Sequence, residues 1–166
     1  DIHGMAVSTA STSSLSSGSS VLDEISELSR YTYQAGTLDT IVDSVTRERR
    51  PYEGDTLIYQ TLGYQNGDDY MTVRNTWNWL LDNPSQYTEY RLMTVIGVYE
   101  DYLYTQDRQY VSDVYSRLKS QVESVLKYNG TLGLVSSKGT TGSGGLAEKR
   151  AVRIRRRRDD LQDHRQ

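Results

Sequence analysis

The stretch Asp43-Ser-Val-Thr-Arg47-Glu48-Arg49-Arg50-Pro51-Tyr52-Glu53-Gly54-Asp55 decides how the whole chain is read. It packs four carboxylates and three guanidiniums around a proline and an aromatic ring. Proline and glycine interrupt it too often for one regular helix. An acid flanked by arginines feels opposed influences, because fixed positive charge favours the carboxylate while burial and the neighbouring acids Asp43, Glu53 and Asp55 favour the protonated form. Such a balance suits a group that holds a proton near neutral pH and then releases it. The plainer alternative is a solvated loop whose ion pairs contribute little. A calcium ion on Asp43, Glu53 and Asp55 is conceivable, although the spacing is not that of an EF-hand loop.

The helical pattern lies on both sides of this stretch. Ser20 with Asp23 approximates a capping box, and Val21, Ile25 and Leu28 fall on one face of a helix ending at Ala35, with Gly36 as its stop. Thr37 to Val42 forms a short approach. Asp55 is an N-cap candidate for a helix over 56–65. A second helix spans 68–82, with Tyr70, Val73, Trp77, Leu80 and Leu81 on one face and Asn83-Pro84 beyond it. Trp77 and Trp79, two positions apart, point in different directions, so one belongs to the core and the other to a partly covered or pocket-lining position. Two further amphipathic helices follow. Residues 86–105 carry Leu92, Val95, Ile96, Tyr99 and Leu103, while 108–128 carry Val111, Val114, Leu118, Val122, Val125 and Leu126, capped by Asp107. Glu89, Glu100 and Asp101 read as solvated or interhelical polar positions.

The chain is thus all-α in expectation, and successive helical hairpins fit either a small bundle or part of an (α/α) toroid. The order Asp43, then Arg47-Glu48-Arg49, then Tyr52 and Gly54-Asp55 resembles the signature of the α-L-rhamnosidases, in the six-hairpin glycosidase group. The run Leu28-Ser-Arg-Tyr-Thr-Tyr-Gln-Ala-Gly-Thr-Leu-Asp39-Thr is similar to that family's first barrel helix and its exit, and the likeness extends over residues 20–139. It implies an incomplete (α/α)6 toroid made of the first two to three hairpins. It also implies that Glu48 is the general acid that protonates the leaving glycosidic oxygen. Asp43 and Asp55 would grip rhamnose hydroxyls, and Arg47 would hold the polar network. Tyr52 stands where many members have a tryptophan wall beside the sugar.

An inverting glycosidase needs a second carboxylate to activate water across the sugar. In the family that base comes from a later hairpin, so the resemblance implies a chain that is inactive alone, with apolar faces left uncovered and a tendency to unfold or self-associate. The ligand expected is a rhamnose-containing carbohydrate. Other six-hairpin specificities, a non-catalytic carbohydrate-binding remnant, and a helical interaction protein remain as alternatives.

Composition narrows the remaining classes. Of 166 residues 14 are tyrosine, with no phenylalanine and no cysteine, so tyrosine supplies much of the aromatic packing and no disulfide or thiolate site exists. His3 and His164 stand at opposite ends of the sequence, which argues against a histidine metal site. No GxGxxG or P-loop pattern occurs, and nothing asks for a metal or other cofactor. No apolar segment is long enough for a membrane helix.

Residues 1–19, rich in Ser, Thr and Gly from position 8, read as a linker or as a lead-in from a preceding domain. The start at Asp1 reads as a cut, leaving room for a signal peptide upstream. Asn129-Gly-Thr is a glycosylation pattern that matters only in a secreted protein; lack of cysteine fits the cytosol without excluding secretion, which is slightly favoured. Residues 140–166 read as a disordered Gly/Ser- and Arg-rich tail, the product of truncation, a retained intron or a lost reading frame. Its last 20 residues hold 8 of the 19 basic and 4 of the 22 acidic residues. Without a recognition motif beside this basic run, nucleic acid is not the expected partner.

Overall fold

The computed structural model describes residues 13–67 and 69–129. The tail over 140–166, the glycosylation pattern beyond Asn129 and most of the lead-in lie outside the described residues. Five helices make up the fold: α1 (Ser20–Ala35), α2 (Glu53–Gly67), α3 (Tyr70–Asp82), α4 (Thr88–Thr105) and α5 (Arg108–Leu126). Among the described residues there is no strand beyond an isolated bridge between Thr37 and Ile41. None of the helices is long and apolar enough to cross a membrane.

Short connections fold the helices back on one another. Asp69 caps α3 by accepting the Thr72 N–H, and Asp107 caps α5 by accepting the N–H groups of Gln109 and Tyr110. The box expected at α1 does not form. Its N-cap is Ser19 with no side-chain cap bond, and Asp23 instead accepts the N–H and hydroxyl of Ser17 at 2.9 and 2.8 Å. Helix α2 starts earlier than expected because the Tyr52 carbonyl already accepts the Thr56 N–H at 2.9 Å. Asp55 is therefore in the first turn and not at the N-cap. Pro51, placed before the helix, gives up no hydrogen bond there.

Helix α2 packs against α1, α3 and α4, and α5 packs against α3 and α4. Trp77 is the pivot of the core, fully buried against the backbone of Gly97. Its indole N–H donates to Gln60 Oε1 at 2.6 Å, and Gln60 Nε2 donates to the Gly97 carbonyl at 2.9 Å, so α2, α3 and α4 are tied at one level. A methyl group on Gly97 would lie 2.1 Å from the Trp77 ring.

A second tie is ionic. Asp101, wholly buried on α4, receives Arg74 of α3 through Nε at 3.0 Å and Nη2 at 2.8 Å, and the Tyr64 hydroxyl of α2. Arg74 also reaches Asp107 at 2.8 Å, and its guanidinium stacks 4.4 Å from the Tyr110 ring centre. The hydrogen bond to Asp101, stronger than the opposing desolvation, holds Arg74 above its ordinary value.

Two of the apolar stripes lie outside the packed core. Helix α4 turns Thr94, Gly97, Val98 and Asp101 inward, while Ile96, Tyr99 and Leu103 stay exposed. On α1 the stripe Val21, Ile25 and Leu28 is exposed and only Tyr33 is buried. Between α4 and α5 runs an apolar groove of about 500 Å³, lined among others by Val95, Tyr99, Val111, Tyr115 and Leu126.

Arg74→Met is expected to lower unfolding free energy by about 3–5 kcal/mol in urea titration, because it strands a buried charge. A loss below about 1 kcal/mol, the range of exposed pairs, would mean that Asp101 is not held as described.

Candidate active site

The site begins where α1 ends. After Gly36 the chain makes a tight turn closed by the Thr37–Ile41 bridge, and Ile41, itself fully buried, donates its N–H to Thr76 Oγ1 of α3 at 3.0 Å. This anchor fixes where Asp43 emerges. From there residues 43–50 form a closed loop: the Asp43 N–H donates to the Arg50 carbonyl at 3.0 Å, and the Arg50 N–H donates to Asp43 Oδ1 at 3.2 Å. Arg49 takes a left-handed backbone (φ 53°), uncommon without glycine, to turn the chain back at that point. The Glu48 N–H is held by Ser44 Oγ at 3.2 Å.

This closure sets Glu48, expected as the general acid, beside Asp43, expected to grip sugar hydroxyls. The hydrogen-bonding influence of the neighbouring Asp43 carboxyl is the main cause holding Glu48 above the usual glutamate range, with desolvation and the charges of Asp43 and Asp55 adding and Arg47 opposing. Desolvation acts to raise Asp43, yet the same influence from Glu48, the N–H groups of Arg50 and Ser44, and the Arg47 charge together bring it below the usual aspartate range. The two carboxyl groups therefore move apart in their titration, Glu48 upward and Asp43 downward.

Arg47 is exposed and lies 3.4 Å from Glu48 Oε1. Asp55, in the first turn of α2, is raised by desolvation and by the Asp43 charge, its own backbone N–H opposing. Tyr52 is half-buried, with the Arg50 guanidinium 5.4 Å above its ring and 5.8 Å from that of Trp79. Of the two tryptophans, Trp77 is the core member and Trp79 the partly covered one.

Glu53 does not join the cluster. It is wholly buried and faces the α3–α4 connection, where Oε1 accepts the Ser85 N–H at 2.9 Å, so the calcium trio with Asp43 and Asp55 is not assembled. Among the described residues no group of three or more acids or histidines could hold a metal ion.

Two tyrosines that the sequence reading passed over border the site. Burial, then the charges of Asp55 and Asp43, raise Tyr59. Burial, then Asp55 and Glu89, raise Tyr90. Tyr59 stands four residues after Asp55, one helical turn on, which is a signal the sequence does carry. Tyr90 comes from α4 and packs against Gly54, a contact that only the tertiary fold creates.

No protein-family model matches the chain, and a search of curated proteins finds no relative.

Carboxyl-detected NMR titration is expected to show Asp43 ionising below and Glu48 above their ordinary values. The Glu48 contribution to stability is complete at low pH and lost as pH rises through its raised folded value. The Asp43 contribution is complete above the ordinary aspartate range and lost as pH falls through its lowered value, so the loop is most firmly closed between the two. Asp43→Asn removes the facing charge and should bring Glu48 down. An unchanged Glu48 in that variant would show the pair to be uncoupled.

Proposed function

We propose that this chain is the acid-bearing part of a six-hairpin glycosidase catalytic domain of α-L-rhamnosidase type, holding terminal α-L-rhamnose with Glu48 as general acid. The observation that carries the reading is the closed 43–50 loop, which sets Asp43, Arg47 and Glu48 side by side, with Arg47 Nη2 3.4 Å from Glu48 Oε1 and Asp43 the main cause that raises Glu48, the residue the sequence signature marks as the acid. The all-helical fold of consecutive hairpins is compatible with the opening segment of an (α/α)6 toroid.

In this proposal Glu48 donates its proton to the glycosidic oxygen as the bond to the sugar breaks. Two carboxylates then face one another, and Arg47, 3.4 Å from Glu48, offsets the new charge. The Asp43 anion has opposite effects before and after transfer, because it holds the proton in place beforehand and disfavours the ionised Glu48 afterwards. Asp43 and Asp55 accept from sugar hydroxyls, and Tyr52 offers an apolar face. The base that activates water belongs, by the resemblance, to a hairpin outside this chain, so the chain alone binds the sugar and does not turn it over.

The test is an amide NMR titration of the chain with L-rhamnose, with D-glucose as control. L-Rhamnose is expected to perturb Asp43, Tyr52 and Asp55, and Asp55→Asn to weaken binding by about tenfold or more, the effect of one hydrogen bond to a charged group. Equal perturbation by both sugars, or by neither, would remove rhamnose from the account. Hydrolysis of an aryl α-L-rhamnoside by the pure chain, abolished in Glu48→Gln, would contradict the missing base.

A further inference from the structure

We propose that the apolar stripe on α1 docks into the groove between α4 and α5 of a second copy of this chain, joining copies head to tail. The inference does not depend on the carbohydrate reading. It starts from two apolar surfaces that the described residues leave uncovered. On α1, Val21, Leu22, Ile25 and Leu28 are between 52% and 64% exposed, and Tyr33 is the helix's one buried residue. The groove of about 500 Å³ is bordered by Val95, Tyr99 and Tyr102 of α4 and by Val111, Tyr115 and Val122 of α5. Lys119 and Glu123 are the only charged residues that line it among the described residues. Helix α1 packs on α2, whereas α5 packs on α3 and α4, so the stripe is not seated in the groove of its own chain.

Spacing, length and charge match the two surfaces. Positions 21, 22, 25 and 28 follow the i, i+1, i+4, i+7 order of a helix face that lays its anchors into a groove. From Val21 to Leu28 the stripe is about 10 Å long, and the α5 lining from Val111 to Leu126 runs over about 22 Å, so the groove has room for the whole stripe. An aliphatic face enters such a lining without stranding polar groups, which a sugar or a highly charged peptide would do. Helix α1 carries Asp23, Glu24 and Glu27 against Arg30, a net −2, while α5 carries Arg108, Arg117 and Lys119 against Asp113 and Glu123, a net +1. Lys119, at the edge of the groove, is 3.8 Å from Glu123 in an exposed pair that holds it weakly, and it is free to turn toward Glu24 beside the incoming stripe. Because stripe and groove are different surfaces the contact is heterologous, and each added copy brings one more of each.

The experiment uses the full chain. It has no cysteine, so Thr32→Cys, one turn past Leu28 on an exposed position, carries a single spin label at the end of the stripe. Mixed with ¹⁵N-enriched wild type, the labelled chain should broaden the amides of Tyr99, Tyr115 and Val122 in the other copy, and sedimentation should show mass rising with concentration. Ile25→Asp and Tyr115→Asp, both at positions more than half exposed, should each weaken association about tenfold or more, the effect of losing one large buried apolar side chain, with thermal midpoints unchanged. Mixed one to one, these two variants should pair again and stop at a dimer, since the first keeps its groove and the second its stripe. Lys119→Glu, which leaves the apolar lining intact, should weaken association at low salt and less at high salt. A chain that stays monomeric up to about 1 mM, a label that broadens α1 of the other copy in place of α4 and α5, or folded variants that fail to pair on mixing would each overturn the proposal.

Discussion

Asp101 is a fully buried carboxylate, and the arrangement of four helices follows from satisfying it. A buried charge is tolerated only when it is paired and hydrogen-bonded. Tyr64 from α2, Arg74 from α3 and, through Arg74, the Asp107 cap and Tyr110 ring of α5 all converge on it. No one of these helices can slide along α4 without breaking a bond to a charged group. The Gln60–Trp77–Gly97 tie sits one turn from Asp101 along α4 and adds a steric limit, since the indole lies where any side chain at position 97 would go. The polar tie sets register and the apolar one sets distance.

The site inherits its geometry from this frame. Helix α2, fixed at its middle by Gln60 and toward its end by Tyr64, presents Asp55 and Tyr59 from its first turns. Helix α3 reaches out through Thr76 to hold Ile41, and so determines where the loop carrying Asp43 and Glu48 begins. The loop then closes on itself through the paired backbone bonds of Asp43 and Arg50. Two acids that shift one another's ionisation are sensitive to small changes in separation, and here they lie on a loop closed by its own hydrogen bonds and anchored to a packed helix.

Much of this was legible in the residues. Asp107 as cap, Asn83-Pro84 as stop, a core place for one of Trp77 and Trp79 and the break in helix across 43–52 all follow from local chemistry that tertiary packing did not override. The faces of α1 and α4 were not legible, because a 3.6-residue stripe shows that a helix is amphipathic without showing what it meets. On α4 the inward side carries threonine, glycine and an aspartate, chosen for close approach and for Arg74, while larger apolar residues remain outside. Glu53 misled in the opposite direction: an acid among acids in sequence, it turns into the protein to hold Ser85. Asp43 and Glu48 could be named from the motif, but their effect on one another's ionisation required the loop closure at which Arg49 takes its left-handed turn.

A glycosidic oxygen must meet Glu48 in this loop if the residue acts as the proposed acid, and a crystal structure of the chain with an aryl α-L-rhamnoside tests that most directly. The glycosidic oxygen should lie within hydrogen-bond reach of the Glu48 carboxyl, roughly 2.6–3.2 Å, with sugar hydroxyls on Asp43 and Asp55. A sugar bound elsewhere, or one seated here with its glycosidic oxygen turned away from Glu48, would contradict it.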